Sequence, residues 1–195
     1  MVHPAALAGS MATLASPLAG ALGIFRRGYP WDLSELHRSL VMERVLLIEF
    51  AFDADYATPL ASLAVRSARG GYEVFVVCEE KSPLRGLKGD VNLLILSEDG
   101  DLKPTLEDHV RLGRAIFGRS AGLLIYDSLT ALTRMAGIRR AYLIIRSLLD
   151  LMGDEDRAIF VVFPWAHEYW EIGRFRALMT AVYTAFAGRF VRLGD

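Results

Sequence analysis

The sequence predicts a three-layer α/β fold, in which a mainly parallel sheet carries helices on both faces. Short apolar runs alternate along the chain with segments whose apolar residues recur at helical spacing. Most of these runs are apolar at consecutive positions, which is typical of strands buried on both faces. The regular β-then-α order favours right-handed crossovers, and such crossovers place helices on both sides of a sheet.

The first β-then-α step begins at residue 44. The run RVLLIEF, residues 44–50, predicts a buried strand. Residues 59–69 predict the helix that follows, with Thr58 as the N-cap and Pro59 at the first helical position. Gly70 and Gly71 then end this helix.

The remaining elements repeat this alternation to the end of the chain. Bulky and β-branched residues mark the strands, whereas apolar residues three and four positions apart mark the helices. In chain order we predict strands at 72–78 and 90–97, a helix at 104–117, a strand at 122–127, a helix at 138–152, a strand at 158–163, a helix at 167–187 and a terminal strand at 189–193.

Residues 1–27 are predicted to form an N-terminal apolar helical extension, followed by an α/β domain at 28–195. Residues 4–25 carry no charge, and the bulky apolar residues recur at spacings of three and four: Leu7, Met11, Leu14, Leu18, Leu22 and Phe25. One narrow apolar stripe fits packing against protein better than immersion in lipid. A docking helix is therefore predicted; a membrane span is the alternative, because the segment is close to spanning length.

Composition limits the function classes. The chain has 195 residues, of which 53% are hydrophobic, so one domain can bury a core without disulfide or metal. Its net charge of −1 gives no general attraction to nucleic acid or to an anionic membrane, and such a partner would need a local patch. The single cysteine, Cys78, fits a reducing compartment, and a cytoplasmic location is predicted.

Four stretches carry a family resemblance. They are GYPWDLSELHRSLVMERVLLIEF (28–50), VVCEE (76–80), LLIYDSLTAL (123–132) and GRFVRLGD (188–195). In this order they resemble the KaiC and archaeal RadA-type domains of the RecA-like ATPases, and the resemblance covers residues 28–195. It implies a RecA-like fold, in which Asp127 ends the Walker B strand and Glu79 and Glu80 stand where those enzymes activate water.

The loop after the first strand departs from that family. Placing Gly-x-x-x-x-Gly-Lys-[Ser/Thr] with its last position on Thr58 puts Ala51 and Tyr56 at the glycines and Ala57 at the lysine. The glycines and the lysine normally cradle phosphate. Asp53 and Asp55 instead oppose an anion by about 1 to 4 kcal/mol per close pair. No ATP hydrolysis, no nucleotide in the usual pose and no cofactor are therefore predicted.

The resemblance leaves a vestigial nucleotide site composed of Thr58, Glu79, Glu80, Asp127 and Ser128. Structural roles also explain these residues: Thr58 caps a helix, and the two glutamates lie in a solvated loop. Asp127 caps the turn that follows it, together with Ser128 and Thr130. For these residues we predict the structural roles rather than nucleotide binding.

Two loops beyond the carboxyl ends of strands combine arginines with aromatic residues. In RecA-like recombinases the corresponding loops line DNA, and arginines with stacking platforms suit a single strand. Tryptophan, tyrosine and arginine also anchor protein interfaces, so a protein contact is the alternative. The candidate contact residues are Arg134, Arg139, Arg140, Trp165, Tyr169, Trp170, Arg174 and Arg176.

The four histidines, His3, His37, His109 and His167, are far apart and show no ligand-like pairing with carboxylates at helical spacing, so no metal site is predicted.

The sequence leaves three hypotheses for the function. The first is a non-catalytic RecA/KaiC-like protein that associates with itself or with an active ATPase paralogue. The second is an accessory protein of recombination that binds single-stranded nucleic acid. The third is a residual nucleotide binder completed by an arginine of a neighbouring subunit.

Overall fold

A computed structural model of the chain describes residues 31–51, 55–118 and 121–194. The strands are β1 (Val45–Phe50), β2 (Glu73–Glu79), β3 (Asn92–Leu96), β4 (Gly122–Asp127), β5 (Arg157–Val162), β6 (Ala181–Phe186) and β7 (Arg189–Arg192). The α-helices are α1 (Ser34–Met42), α2 (Ala57–Arg69), α3 (Leu106–Ile116), α4 (Leu129–Ala136), α5 (Ile138–Leu149) and α6 (Tyr169–Arg176), with short 3₁₀ helices at Pro83–Gly86 and Pro164–Ala166.

These strands form one sheet in the order β3-β2-β4-β5-β1-β6-β7. The first six strands in this order, β3 to β6, run parallel, and β7 pairs antiparallel with β6 through a tight hairpin. All residues of β1 and β4 are buried because helices cover both faces of the sheet. The predicted α/β class with a mainly parallel sheet is confirmed.

Each face of the sheet has its own apolar core. On the first face, α3, α4, α5 and α6 pack over alternate strand residues such as Leu47, Tyr126 and Phe160. On the second face, α1 and α2 pack over the intervening residues, such as Ile48 and Ile125. The alternation follows from the period of two along a strand, and it gives three layers.

The predicted helix at 167–187 is wrong. It divides into α6 and the strand β6, which lies beside β1. Residues Val182, Tyr183 and Thr184 are β-branched or aromatic, and the residues of β6 alternate in burial. Apolar spacing alone could not reveal this strand, because a short apolar run after a helical pattern is compatible with the period of a helix and with that of a strand.

Two helices of the described part of the chain were not predicted. α1 precedes β1 and buries Leu36 and Leu40. α4 follows β4 directly, with Ser128 as its N-cap. The prediction for residues 1–27 lies outside the described residues. None of the described helices is both long enough and apolar enough to span a bilayer.

Candidate functional site

Three carboxylates lie near the carboxyl ends of parallel strands: Glu49 on β1, Glu79 on β2 and Asp127 on β4. The connection from β2 leads to β3 at one edge of the sheet, whereas the connection from β4 leads in the opposite direction, to β5. The direction of winding therefore reverses between β2 and β4. Ligands of open α/β sheets bind beyond the strand ends at such a reversal, so this edge is the candidate site.

Asp127 is the most buried of these carboxylates, with 2% of its surface exposed. Its Oδ2 accepts hydrogen bonds from the Ser82 hydroxyl at 2.6 Å and from the Tyr56 hydroxyl at 3.5 Å. Burial raises the pKa of Asp127 to about 6; the charge of Glu79 raises it further, while the two hydroxyls act to lower it. The Asp127 carboxyl group is therefore held by the hydroxyl groups of Ser82 and Tyr56.

The predicted role of Asp127 in capping the following turn is wrong: the contacts of its carboxyl group among the described residues are with the Ser82 and Tyr56 hydroxyls. Ser128 alone caps α4: its Oγ accepts a hydrogen bond from the backbone N–H of Ala131 at 3.1 Å. The peptide bond between Asp127 and Ser128 is cis.

The ring of Tyr56 fills the crevice above the ends of β1 and β5. Its centroid lies 5.6 Å from that of Phe50 and 5.1 Å from that of Phe163. Phe50 ends β1 and Phe163 directly follows β5. Burial, and then the charge of Asp127, raise the pKa of Tyr56, so its phenol stays neutral and donates to that carboxylate. The aromatic ring of Tyr56 therefore packs between the residues at the ends of β1 and β5.

The N-terminus of α2 also holds an anion of its own. The carboxylate of Asp55 accepts a hydrogen bond from the backbone N–H of Thr58 at 3.2 Å. α2 begins at Ala57, so Pro59 stands at its third position and the exposed Thr58 at its second. The predicted N-cap at Thr58 is wrong: Asp55, two residues before the first helical residue, supplies the acceptor for an N–H of the first turn, whereas Thr58 lies within that turn.

This capping contact predicts unequal effects of two substitutions. We expect Asp55→Ala to lower the free energy of unfolding by about 1 kcal/mol, because it leaves an N–H of the first turn without an acceptor. Thr58→Ala is the matched control and should cost less than about 0.5 kcal/mol. Urea denaturation of both variants measures the difference. A greater loss for Thr58→Ala would restore Thr58 as the cap.

Glu79, the last residue of β2, and Glu80, which follows it, each have an arginine partner, so the predicted position in a solvated loop is wrong for Glu79. Glu79 pairs with Arg134 of α4 at 2.5 Å, and Glu80 pairs with Arg85 at 3.3 Å. Glu80 is exposed, as a solvated loop predicts, whereas the Glu79 side chain is only 30% exposed. Arg134 therefore pairs with the less exposed of the two carboxylates.

Glu49 forms a bidentate ion pair that the sequence analysis missed. Its carboxylate accepts from Nε and Nη2 of Arg176 at 2.6 and 2.8 Å. A single acid within the apolar run VLLIEF was the available signal, because a buried charge requires a partner. Arg176, a predicted nucleic-acid or partner contact, is therefore committed to the structure of the domain.

A hydrogen-bonded chain joins α4 to the start of α6. The backbone N–H of Phe163 donates to Thr130 Oγ1 at 3.1 Å, and that hydroxyl lies 2.9 Å from Nε2 of His167. Nδ1 of His167 lies 3.2 Å from the Glu171 carboxylate, four residues further on. The predicted lack of any histidine–carboxylate pair at helical spacing is thus wrong. Within residues 31–51, 55–118 and 121–194, no His, Cys, Asp and Glu side chains form a cluster able to hold a metal.

This chain of hydrogen bonds anchors an exposed aromatic surface, formed by Trp165, Tyr169 and Trp170. Their exposed fractions are 60%, 83% and 52%. Arg174 lies over the ring of Trp170, 5.1 Å from its centroid. Three large aromatic side chains exposed on one short segment are typical of an interaction site.

Arg139 and Arg140 lie on the first turn of α5, and both are exposed. Arg140 lines a groove of about 320 Å³ together with Leu106 and Leu143. Two of the predicted contact arginines, Arg134 and Arg176, form ion pairs with carboxylates. Among the described residues, no ion pair is found for Arg139, Arg140 or Arg174.

The fold and this edge define a three-layer α/β protein whose carboxyl-edge crevice is filled by its own side chains. Comparison of the sequence with protein-family models gives no matching family, and comparison with curated proteins gives no matching relative.

Proposed function

We propose that this chain is a non-catalytic RecA/KaiC-like protein that acts by association, with copies of itself or with an active ATPase paralogue. One observation supports the proposal most strongly: the Tyr56 ring lies against Phe50 and Phe163, and the Asp55 carboxylate accepts a hydrogen bond at the start of α2, in the loop that the resemblance aligns with the phosphate-binding loop of the family. A triphosphate would have to displace the ring from between Phe50 and Phe163 and approach the Asp55 carboxylate, and both steps oppose binding.

The engaged carboxylates support the same proposal. One oxygen of the Asp127 carboxyl group accepts hydrogen bonds from two hydroxyls, and Glu79 is paired with an arginine, so both carboxylates already have partners within the chain. The aromatic surface supplies the contact through which association would act. Large aromatic residues bury much area at low entropic cost, and they dominate the energetics of interfaces.

Single-stranded nucleic acid is the second candidate function, and the same surface favours it. Trp165, Tyr169 and Trp170 offer rings on which bases can stack, and Arg174 adds a positive charge beside them. The engagement of Arg134 and Arg176 by carboxylates weakens this candidate, since it removes two of the cations that phosphates would need.

Thermal unfolding with two ligands separates the candidates. We expect neither Mg-ATP nor a single-stranded oligonucleotide at millimolar concentration to raise the melting temperature, because neither binds the folded state. Light scattering should give the mass of an oligomer, and Tyr169→Ala with Trp170→Ala should shift it toward the monomer. Met42→Ala, which removes an exposed side chain on α1, is the control and should not.

Each contrary result has its own meaning. Stabilisation by Mg-ATP would overturn the proposal in favour of a residual nucleotide binder. Stabilisation by the oligonucleotide that weakens steeply with salt, and is lost when Arg139 and Arg140 become alanine, would establish the second candidate. A monomer whose mass is unaffected by the aromatic substitutions would leave association with a paralogue, tested by mixing the two proteins.

A further inference from the structure

Two helices on the first face of the sheet, α3 and α5, border a groove between their N-terminal halves. The helices are in close contact further along: a Cβ atom added to Gly113 would lie 2.7 Å from Leu151 Cδ1 and 3.1 Å from Leu148 Cδ2. Nearer the N-termini, Leu106 of α3 and Arg140 of α5 line a groove of about 320 Å³. The helices therefore touch at one end and leave a groove at the other.

This groove is mostly apolar and open to solvent. Besides Leu106, its lining includes Pro104, Leu143 and Ile144. Leu106 is 45% exposed and Leu143 is 53% exposed, so the groove leaves two large apolar side chains in contact with water. A second groove, of about 550 Å³, adjoins the first at Leu106 and is lined by Val110 and the charged residues beside it. The two grooves together form one elongated apolar surface, the α3/α5 surface.

The charges that line the α3/α5 surface are mainly positive. Arg140 lines the first groove, and Arg111, Arg114 and Glu107 line the second. Glu107 and the neighbouring Asp108 both pair with Arg111, at 3.3 and 3.2 Å. Among the described residues, no ion pair is found for Arg114 or Arg140. Two positive charges therefore border the exposed leucines without a described counter-charge.

The start of α5 adds to this positive potential. Its N-cap is Gly137, and no side-chain acceptor among the described residues caps the first turn. The partial positive charge of this helix end therefore lies beside Arg139 and Arg140. α3 differs, because the Thr105 hydroxyl accepts a hydrogen bond from the backbone N–H of Asp108 at 3.3 Å. A carboxylate near the start of α5 would meet both a guanidinium group and free N–H groups.

We propose that the α3/α5 surface binds an acidic amphipathic helix of a partner protein. The apolar face of that helix packs against Leu106 and Leu143, and its carboxylates face Arg114 and Arg140. An amphipathic helix that lays its apolar face into a groove is a recurring mode of recognition. This contact goes beyond the aromatic surface and does not depend on it.

The shape and lining of the α3/α5 surface favour this occupant over two others. Sites for small molecules bury most of the ligand, whereas the exposure of Leu106 and Leu143 shows a surface open along its length. Single-stranded nucleic acid needs rings on which bases stack, and none of the described residues that line the two grooves is aromatic. A helix covers an open apolar surface and brings acidic groups to both of its ends.

Fluorescence anisotropy with synthetic peptides tests this contact. The probe is a fluorescein-labelled peptide of about four helical turns, built from glutamate with leucines three and four positions apart. We expect the chain to bind it about tenfold or more tightly than the same peptide with lysine in place of glutamate. The same difference is expected against a peptide with alanine in place of leucine. Equal binding of the acidic and the lysine peptides would overturn the proposal.

Substitutions in the chain locate the binding. Leu143→Asp and Arg140→Glu should each weaken binding of the acidic peptide by about tenfold, because the first places a charge on the apolar lining and the second reverses a cation. Both side chains are exposed, so the fold should be retained. Val41→Asp, at a residue of α1 that is 62% exposed, is the control and should leave binding unchanged. Unchanged binding in both Leu143→Asp and Arg140→Glu would overturn the proposal.

Two measurements identify a different occupant. A lower mass of Leu143→Asp in light scattering would show that a second copy of the chain covers the α3/α5 surface. Displacement of the acidic peptide by a single-stranded oligonucleotide would show that the surface binds nucleic acid. Either result would overturn the proposal. Association through the aromatic surface is tested by Tyr169→Ala with Trp170→Ala, so the two proposals fail independently.

Discussion

Replacing Arg176 should cause the largest loss of stability among the substitutions considered. Glu49 has 7% of its side chain exposed and lies on a central strand, and Arg176 is its charge partner. Arg176→Met would leave a buried carboxylate with neither charge partner nor these hydrogen bonds. Breaking a buried pair in this way costs about 3 to 5 kcal/mol, and the partial exposure of Arg176 reduces the expected loss to about 2 to 3 kcal/mol.

Urea denaturation of a small set of variants checks this expectation. Arg174→Met, on the same helix, is the matched control and should change the free energy of unfolding by less than about 1 kcal/mol, because Arg174 lies over an exposed ring. The double variant Glu49→Gln, Arg176→Met should recover part of the loss, since glutamine needs no counter-charge. Equal losses for Arg176→Met and Arg174→Met would show that the ion pair does not stabilise the fold.

Replacing Asp127 should change the free energy of unfolding in the opposite direction and stabilise the fold. Its pKa is about 6 in the folded protein, against an ordinary value of 3.8, because burial disfavours the charged form. The folded state therefore binds more protons than the unfolded chain between these pH values, and the stability falls as the pH rises from about 4 to about 6. Above pH 6 the ionised carboxylate costs about 3 kcal/mol relative to the neutral group.

Asp127→Asn should therefore raise the free energy of unfolding at pH 7.5 by about 2 to 3 kcal/mol, while at pH 4.5 the variant and the parent protein should differ by less than about 1 kcal/mol. Denaturant melts at the two pH values measure this. Glu80→Gln, on the exposed residue beyond β2, is the control and should leave the pH dependence unchanged. A variant that is less stable than the parent at pH 7.5 would show that the charged carboxylate stabilises the fold.

Asp127 also bears on the proposed function. A carboxylate that destabilises the fold at neutral pH is typical of a functional site. Here the hydroxyl groups of Ser82 and Tyr56 both donate to one oxygen of its carboxyl group. Replacing Tyr56 together with Asp55 would remove both the ring and the negative charge from the loop before α2.

The sequence by itself determined the alternation of strands and helices, and it showed that the loop after β1 lacks the glycines and the lysine of a phosphate-binding loop. Consecutive apolar residues require a strand covered on both faces, and this local pattern located β1 and β4. The substitutions at Ala51, Tyr56 and Ala57 concern residue types, so their chemical consequence could be read directly from the chain.

Tertiary structure decided the strand order and the partners of the buried charges. Strand β6 lies beside β1 although more than a hundred residues separate them in the chain. The pair of Glu49 with Arg176 and the contacts of Asp127 with Ser82 and Tyr56 likewise join distant segments. Periodicity and capping preferences act over a few residues, whereas a buried charge is satisfied by whichever group the packed layers bring within hydrogen-bonding distance.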